Sequence, residues 1–145
     1  MDNQHQNNGS LLLGRLFLQL RQLEREPRTF GNIGPLTPGE IHTIDAIGLE
    51  GGLLMSELAA RLGITKGAVT QLISRLEAKK LVKRASLVHD SRASVITLTE
   101  QGREAYTAHE EAHLEFYNRL REQVSEEEII VFEKCIEKLS SLLKK

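Results

Sequence analysis

Two histidines in the last third of the chain have the spacing of a metal-binding pair. The segment His109-Glu110-Glu111-Ala112-His113 places its histidines four residues apart, so on a helix both imidazoles lie on one face. The segment matches H-E-x-x-H, in which two histidines bind zinc and the glutamate acts as a general base in metalloproteases. Two imidazoles one turn apart can equally hold a regulatory metal ion. The spacing predicts metal binding, and the elements around it must decide between catalysis and regulation.

The charge distribution points to nucleic acid. The 145-residue chain has a formal net charge of −1, yet residues 61–92 contain eight basic and only two acidic side chains. Both flanking regions are acidic. A basic segment between acidic arms is typical of a DNA-binding protein whose other parts have a different task.

Composition excludes several classes of protein. With 40% hydrophobic and 27% charged residues the chain is neither disordered nor fibrous. No apolar run approaches the ~20 residues that a membrane-spanning helix needs, and the polar N-terminus is not that of a signal peptide. The single cysteine, Cys135, allows no internal disulfide and fits a reducing compartment. We therefore expect a soluble cytoplasmic protein with no membrane partner.

Hydrophobic periodicity and capping residues predict the order helix, helix, helix-turn-helix, β-hairpin, helix, helix. The two short helices of the helix-turn-helix meet at Gly63, and the two strands flank a long tip. A loop is predicted over residues 27–38, which hold all three prolines. The predicted helices are Ser10–Arg25, Pro38 to about Gly48 with Thr37 as cap, Glu57–Leu62 with Ser56 as cap, Lys66–Lys79 with Thr65 as cap, Glu100–Gln123 with Thr99 as cap, and a last helix capped by Ser125; the predicted strands are Leu81–Arg84 and Ser94–Leu98.

The fourth helix is predicted to enter the DNA major groove. Its apolar positions form one inward stripe, while short hydrogen-bonding and basic side chains occupy the opposite face, which suits base edges and phosphates. In the hairpin, Asp90 stands two residues before Arg92 and could hold that guanidinium for a narrow minor groove or a phosphate. The predicted DNA-binding residues are Thr65, Lys66, Gly67, Thr70, Gln71, Ser74, Arg75, Arg84, Asp90 and Arg92.

These motifs, in this order, resemble the MarR family of winged-helix regulators. The matching segments are Glu57-Leu58-Ala59, Gly63-Ile64-Thr65, Val69-Thr70, Arg75-Leu76-Glu77, Leu81-Val82-Lys83-Arg84, Asp90-Ser91-Arg92 and Leu98-Thr99-Glu100-Gln101-Gly102. The resemblance implies a single domain over 1–145, mainly α with a small β-hairpin wing. Residues 36–99 would form the winged helix-turn-helix, and 1–26 with 100–145 the dimerisation helices. It also implies a homodimeric repressor on a pseudopalindromic operator in double-stranded DNA.

One position departs from that family. Lys80 stands at a turn where the family commonly has glycine. We expect this lysine to adopt a left-handed backbone conformation at a cost of roughly 1 kcal/mol.

A narrower resemblance concerns the effector. The chain is similar to the zinc-responsive repressors of zinc-uptake genes, and their ligand pattern implies zinc bound by Glu24, His42, His109 and His113. Such a donor set would complete a closed, tetrahedral site, as in a sensor. Glu26 is an alternative to Glu24. Further fallback ligands are His5, Glu40 and Glu110; the second, weaker site of that family is expected to be absent.

Two other hypotheses about function remain open from the sequence. The first is a phenolic or other organic ligand that releases the repressor from DNA. The second is a metallohydrolase using His109, Glu110 and His113, which we do not favour because that helix is predicted to be a dimer arm; we therefore predict no enzyme activity. Cys135 is expected to be a buried small hydrophobe, and His89 is expected at the wing.

Overall fold

The computed structural model describes the backbone of residues 2–87 and 90–144, and the side chains of 7–87 and 93–144. The fold is mainly helical with small antiparallel sheets, which confirms the predicted fold class. The chain forms two compact units, Met1–Ala108 and His109–Lys145. The elements are α1 Asp2–Leu23, β1 Arg28–Phe30, β2 Ile33–Leu36, α2 Pro38–Ile47, β3 Leu53–Leu54, α3 Met55–Leu62, α4 Lys66–Ala78, β4 Val82–Leu87, β5 Asp90–Leu98, α5 Glu100–Gln123 and α6 Glu126–Leu143.

Side-chain caps fix the starts of four helices where the sequence predicts them. Thr37 Oγ1 accepts from Glu40 N at the start of α2, and Thr65 Oγ1 accepts from Ala68 N at the start of α4. The same bond runs from Gly102 N to Thr99 Oγ1 for α5, and Ser125 and Glu128 form a reciprocal capping box for α6. These bonds satisfy amides that a helix leaves without partners in its first turn.

The third helix begins earlier than predicted. Ser56 is not its cap; it lies inside α3, whose first residue is Met55. Leu53 and Leu54 pair with Ile96 and Val95 of β5, which leaves Leu54 extended directly before the helix. Glu57 Oε1 accepts from Leu54 N at 3.2 Å, so the cap comes from inside the helix.

Strands extend further than the sequence predicts. The sheet has the order β3-β5-β4, and β4 and β5 pair from Val82↔Leu98 to Leu87↔Asp90. The predicted long tip is therefore wrong for the backbone on either side of Val88 and His89, which lie outside the described residues. A small hairpin, β1–β2, also replaces the loop predicted over 27–38, because Gly31, at a φ of 59°, lets the chain reverse despite the prolines.

Helix α1 starts at Asp2 rather than Ser10, so the polar Asn- and Gln-rich segment is helical. Most of its large apolar side chains from Leu11 to Leu23 are exposed, among them Leu16, Phe17 and Leu20, while Leu13 is half-buried. None of the helices in the described ranges is long and apolar enough to cross a membrane.

The core of Met1–Ala108 joins α2, α3, α4, the sheet and the start of α5. The apolar stripe predicted for α4 is confirmed, since Val69, Leu72, Ile73 and Leu76 are all buried. The remaining core cluster comprises Phe30, Leu36, Ile41, Ile44, Ile47, Leu53, Leu58, Leu81, Val82, Ile96, Leu98 and Ala105.

In His109–Lys145 little is buried. Ile129 is the buried apolar residue of α6, while Ile130, Ile136 and Leu142 are exposed. Cys135 is exposed as well, so its predicted burial is wrong: the apolar face it adjoins is itself uncovered in the single chain. Tyr117 Oη of α5 donates to Glu133 Oε1 of α6 at 2.6 Å, and this bond raises the pKa of the tyrosine hydroxyl.

Candidate nucleic-acid interface

Helix α4 presents a polar face. All seven residues predicted to read DNA from this helix and its cap are exposed, namely Thr65, Lys66, Gly67, Thr70, Gln71, Ser74 and Arg75. The opposite stripe is buried in the core, so the polar face is directed to solvent by packing and not only by helical phase. A helix so anchored can enter a major groove without losing its own contacts.

Contacts at its start and near its middle fix α4 within Met1–Ala108. At its start, Gly63 adopts a φ of 65° and ends α3, and Thr65 then caps α4. At α2, a Cβ on Gly39 would lie 3.3 Å from Leu72 Cδ2, so the two helices approach closely there. The turn between α3 and α4 therefore holds the geometry of a helix-turn-helix.

Two threonines on this face also serve the helix itself. Thr65 Oγ1 is used as the cap, and Thr70 Oγ1 donates to Lys66 O at 2.9 Å. The Thr70 oxygen can still accept a hydrogen bond, whereas its proton is committed to the backbone. Gln71, which has both a donor and an acceptor, is the side chain best suited to a base edge.

Arg84 lies in a different setting from the one predicted. Its Nε donates to Glu77 Oε1 at 2.7 Å, which ties β4 to α4. The guanidinium therefore joins the wing to the predicted reading helix, and DNA contact by Arg84 stays a prediction. The side chains of Asp90 and Arg92 lie outside the described residues, as does His89.

The predicted left-handed lysine is confirmed. Lys80 has a φ of 63°, where glycine is favoured. The turn is held by Lys80 N donating to Glu77 O at 2.9 Å and by Thr99 Oγ1 donating to Lys80 O at 2.7 Å. These bonds fix the direction in which the chain leaves α4 for the wing.

The predicted metal ligands lie in unlike environments. His109 is 8% exposed, His113 is exposed, and their ring centroids are 4.1 Å apart. His42, on α2, and Glu24, just after α1, are exposed. Within residues whose placement the structure gives, no group of three or more His, Cys, Asp or Glu could hold a metal ion. The pair is thus brought together, and the four-residue site stays a prediction.

The side chains on the face of α5 that carries His109 and His113 differ in burial. His109 is buried and Tyr106, Tyr117 and Leu120 are half-buried, but Phe116 is 70% exposed. This face of α5 is therefore buried at His109 and only partly covered further along the helix.

Sequence reasoning missed one buried ionic contact. Glu40, named above only as a fallback ligand, is 1% exposed and lies 2.8 Å from Lys79 Nζ. Only its place in the Thr37 capping box was visible in the sequence. The lysine is distant along the chain, so no local pattern could reveal the pair.

A basic, exposed helix held by a helix-turn-helix and followed by a two-stranded wing defines a winged-helix DNA-binding protein. The sequence profile of the MarR family matches residues 35–93. Streptococcus pneumoniae FabT, solved in complex with DNA, is 28% identical with a TM-score of 0.80, covering 96% of each chain. Staphylococcus aureus MepR, also solved with DNA, is 30% identical over 75% of this chain and 80% of its own, with a TM-score of 0.60.

The chain belongs to the MarR family. Among curated relatives, the repressor MdtR of Bacillus subtilis is 33% identical over 67 residues, and the match spans 43% of MdtR and 46% of this chain. The family and these relatives are transcription regulators and not enzymes, which sets aside the metallohydrolase hypothesis.

Proposed function

We propose that this protein is a homodimeric repressor that reads a pseudopalindromic operator with α4 of each subunit. The observation that carries the proposal is the exposed polar face of α4 opposite its buried stripe. The family assignment supports it, and MdtR is itself a repressor. Its place of action is the cytoplasm, where a regulator meets the chromosome.

Dimerisation is supported by apolar surface. Helix α1 and helix α6 each expose a series of large side chains that a single chain leaves in water. A second copy that covers such faces would create a two-fold protein, and two-fold symmetry matches a palindromic site with half-sites about 34–36 Å apart.

The test of DNA reading uses a duplex that the wild-type protein selects from a randomised library. Gln71→Ala should weaken binding to that duplex by roughly 5- to 150-fold and relax its sequence preference, whereas Lys66→Glu should weaken binding to all sequences. Lys138→Glu, the same charge change on α6, is the control. Equal effects of Lys66→Glu and Lys138→Glu would contradict reading by α4.

We also propose that zinc controls this DNA affinity. The proximity of the His109 and His113 rings supports the proposal, because two imidazole nitrogens suit zinc and the histidines stand one helical turn apart. The remaining proposed ligands are Glu24 and His42, both exposed and able to supply a carboxylate oxygen and a third imidazole. Bound zinc would supply a fixed link between its ligands, and by linkage zinc and DNA would strengthen each other's binding equally.

Zinc control is tested by titrating metal-stripped protein with zinc while DNA binding is followed by fluorescence anisotropy at fixed salt. We expect tight binding near one zinc per subunit and a rise in DNA affinity of roughly tenfold, which needs ~1.4 kcal/mol of coupling. His113→Ala should remove both effects, and His89→Ala is the matched histidine control. Zinc without any change in DNA affinity would contradict the proposal and favour the organic-ligand hypothesis.

A further inference from the structure

Lys79 stands at the C-terminal end of α4, as the residue that caps it. Its Nζ donates to Glu40 Oε1 at 2.9 Å, lies 2.8 Å from Glu40 Oε2, and donates to Pro35 O at 3.3 Å. One ammonium group therefore joins α4 to the first turn of α2 and to strand β2.

Glu40 is suited to hold that ammonium firmly. Its Oε1 also accepts from Thr37 N at 3.0 Å, which fixes the side chain in the capping box. Its Oε2 is buried without a hydrogen-bond partner within the described ranges, so the nearby Lys79 charge is what compensates it. Burial acts to raise the pKa of Glu40, but the bonds from Lys79 and Thr37 outweigh it, and the pKa lies below its ordinary value. A buried carboxylate held in this way depends strongly on its cation.

The contact lies at the opposite end of α4 from Thr65, Lys66 and Gly67, which are among the residues proposed to bind DNA, and about one turn from Arg75. Helix α4 has 13 residues, a length of about 20 Å. A tilt of roughly 10° about the Lys79 end would move the Lys66 end by about 3.5 Å, using that same helix rise. A hydrogen bond to a base edge tolerates only a few tenths of an ångström. Small changes at Lys79 are thereby amplified at the reading end.

We propose that Glu40 and Lys79 form a positioning pair that sets the orientation of α4 for DNA, so that operator affinity depends on both side chains although neither contacts DNA. This inference rests on the proposed reading of DNA by α4. The alternative is that Lys79 binds a DNA phosphate directly, and the two hypotheses differ in the sign expected for one variant.

Glu40→Gln distinguishes them, because it removes a negative charge from a protein that binds a polyanion. If Lys79 binds phosphate, E40Q frees the lysine and DNA affinity stays the same or rises. If the pair positions α4, E40Q weakens operator binding in spite of the more favourable charge.

The experiment measures anisotropy of the duplex selected by the wild-type protein, at a temperature where circular dichroism shows every variant folded. E40Q and K79M should each weaken binding by roughly 2- to 30-fold, the range seen for residues that act on a ligand from a distance. The double variant should lose no more than the weaker-binding single variant. K79R should retain most of the affinity, because it keeps the charge.

Salt dependence supplies a second readout. The slope of log affinity against log salt concentration should be the same for wild type and K79M, because no phosphate contact is lost. A slope reduced by about one would show a direct phosphate contact and overturn the proposal. Variants that only melt earlier, yet bind like wild type when folded, would overturn it too. Should K79M not fold, E40Q and the double variant still decide the question. If the wild-type protein selects no DNA sequence at all, that result contradicts the proposed function and not the positioning role of Glu40 and Lys79.

Discussion

The winged helix-turn-helix, residues 36–99, is called the head because it carries α4. The head and the helices at the two ends of the chain, α1 and α6, are built in opposite ways. In α4, Val69, Ile73 and Leu76 are fully buried. In α6, Ile130 is 66% and Leu142 is 81% exposed, and α1 exposes its leucines in the same manner. The head therefore completes its own core, whereas the terminal helices have apolar faces that the single chain leaves exposed. This contrast supports the proposed division into a part that reads DNA and a part that dimerises.

The largest effect is expected from a charge on the uncovered face. Ile136→Glu on α6 should prevent dimerisation and reduce operator affinity by roughly 1000-fold, toward the non-specific level. Sedimentation equilibrium and anisotropy measure the two effects. Ser141→Glu adds the same charge at an exposed position on the other side of α6 and should change neither. A monomeric variant with full operator affinity would contradict the proposal that operator binding needs the dimer.

A matched pair of substitutions compares the two regions directly. Ile73→Ala creates a cavity in the head and should lower the free energy of unfolding by roughly 2–5 kcal/mol. Ile130→Ala, the same change at an exposed site, should cost within about 0.5 kcal/mol at protein concentrations where the chain is monomeric. Urea unfolding measures both values. Similar losses at the two positions would mean that the head is no better packed than α6.

Acid should destabilise the head through Glu40. The pKa of Glu40 is lowered in the folded protein, so its stabilising contribution is present above the ordinary value of 4.5 and is lost as the pH falls below it. Melting temperatures of wild type and Glu40→Gln should therefore converge as the pH is lowered through this range. A gap between them that stays constant down to pH ~3 would contradict the sign of the shift.

The smallest effect is expected at the turn after α4. Lys80→Gly removes a side chain from a left-handed position and should stabilise the protein by about 1 kcal/mol at most, since glycine also gains freedom in the unfolded state. Lys83→Gly, in strand β4, is the control and should destabilise. A loss of stability on Lys80→Gly would show that the lysine side chain has a role the turn does not explain.

Local patterns allowed much of the head, and the start of α6, to be predicted. The caps at Thr37, Thr65, Thr99 and Ser125, the turn at Gly63 and the buried stripe of α4 all depend on residues within a few positions of one another. So does the exposed row of α4, which follows from helical phase once the stripe is known. Lys80 was predictable too, because a family pattern marks the turn as one that favours glycine.

Contacts between distant residues could not be predicted. Leu53 and Leu54 form a strand only because β5 is there to pair with them, and this pairing moves the start of α3 away from Ser56. The ion pair between Glu40 and Lys79 joins α2 to α4. The two residues are far apart in the sequence, so no local pattern predicts their contact. The ion pair of Arg84 with Glu77 likewise joins β4 to α4, and no sequence pattern indicated it. The exposure of Cys135 depended on what α6 packs against, which its own stripe does not state.

The sequence by itself determined the helices, their caps, the basic segment and the spacing of His109 and His113, because each depends on neighbours one or two turns away. Only the tertiary structure decided which polar groups are paired and which apolar faces are covered. Those outcomes depend on which backbone segments meet in space. The sequence alone therefore does not reveal which group pairs with a given charge or covers a given methyl group.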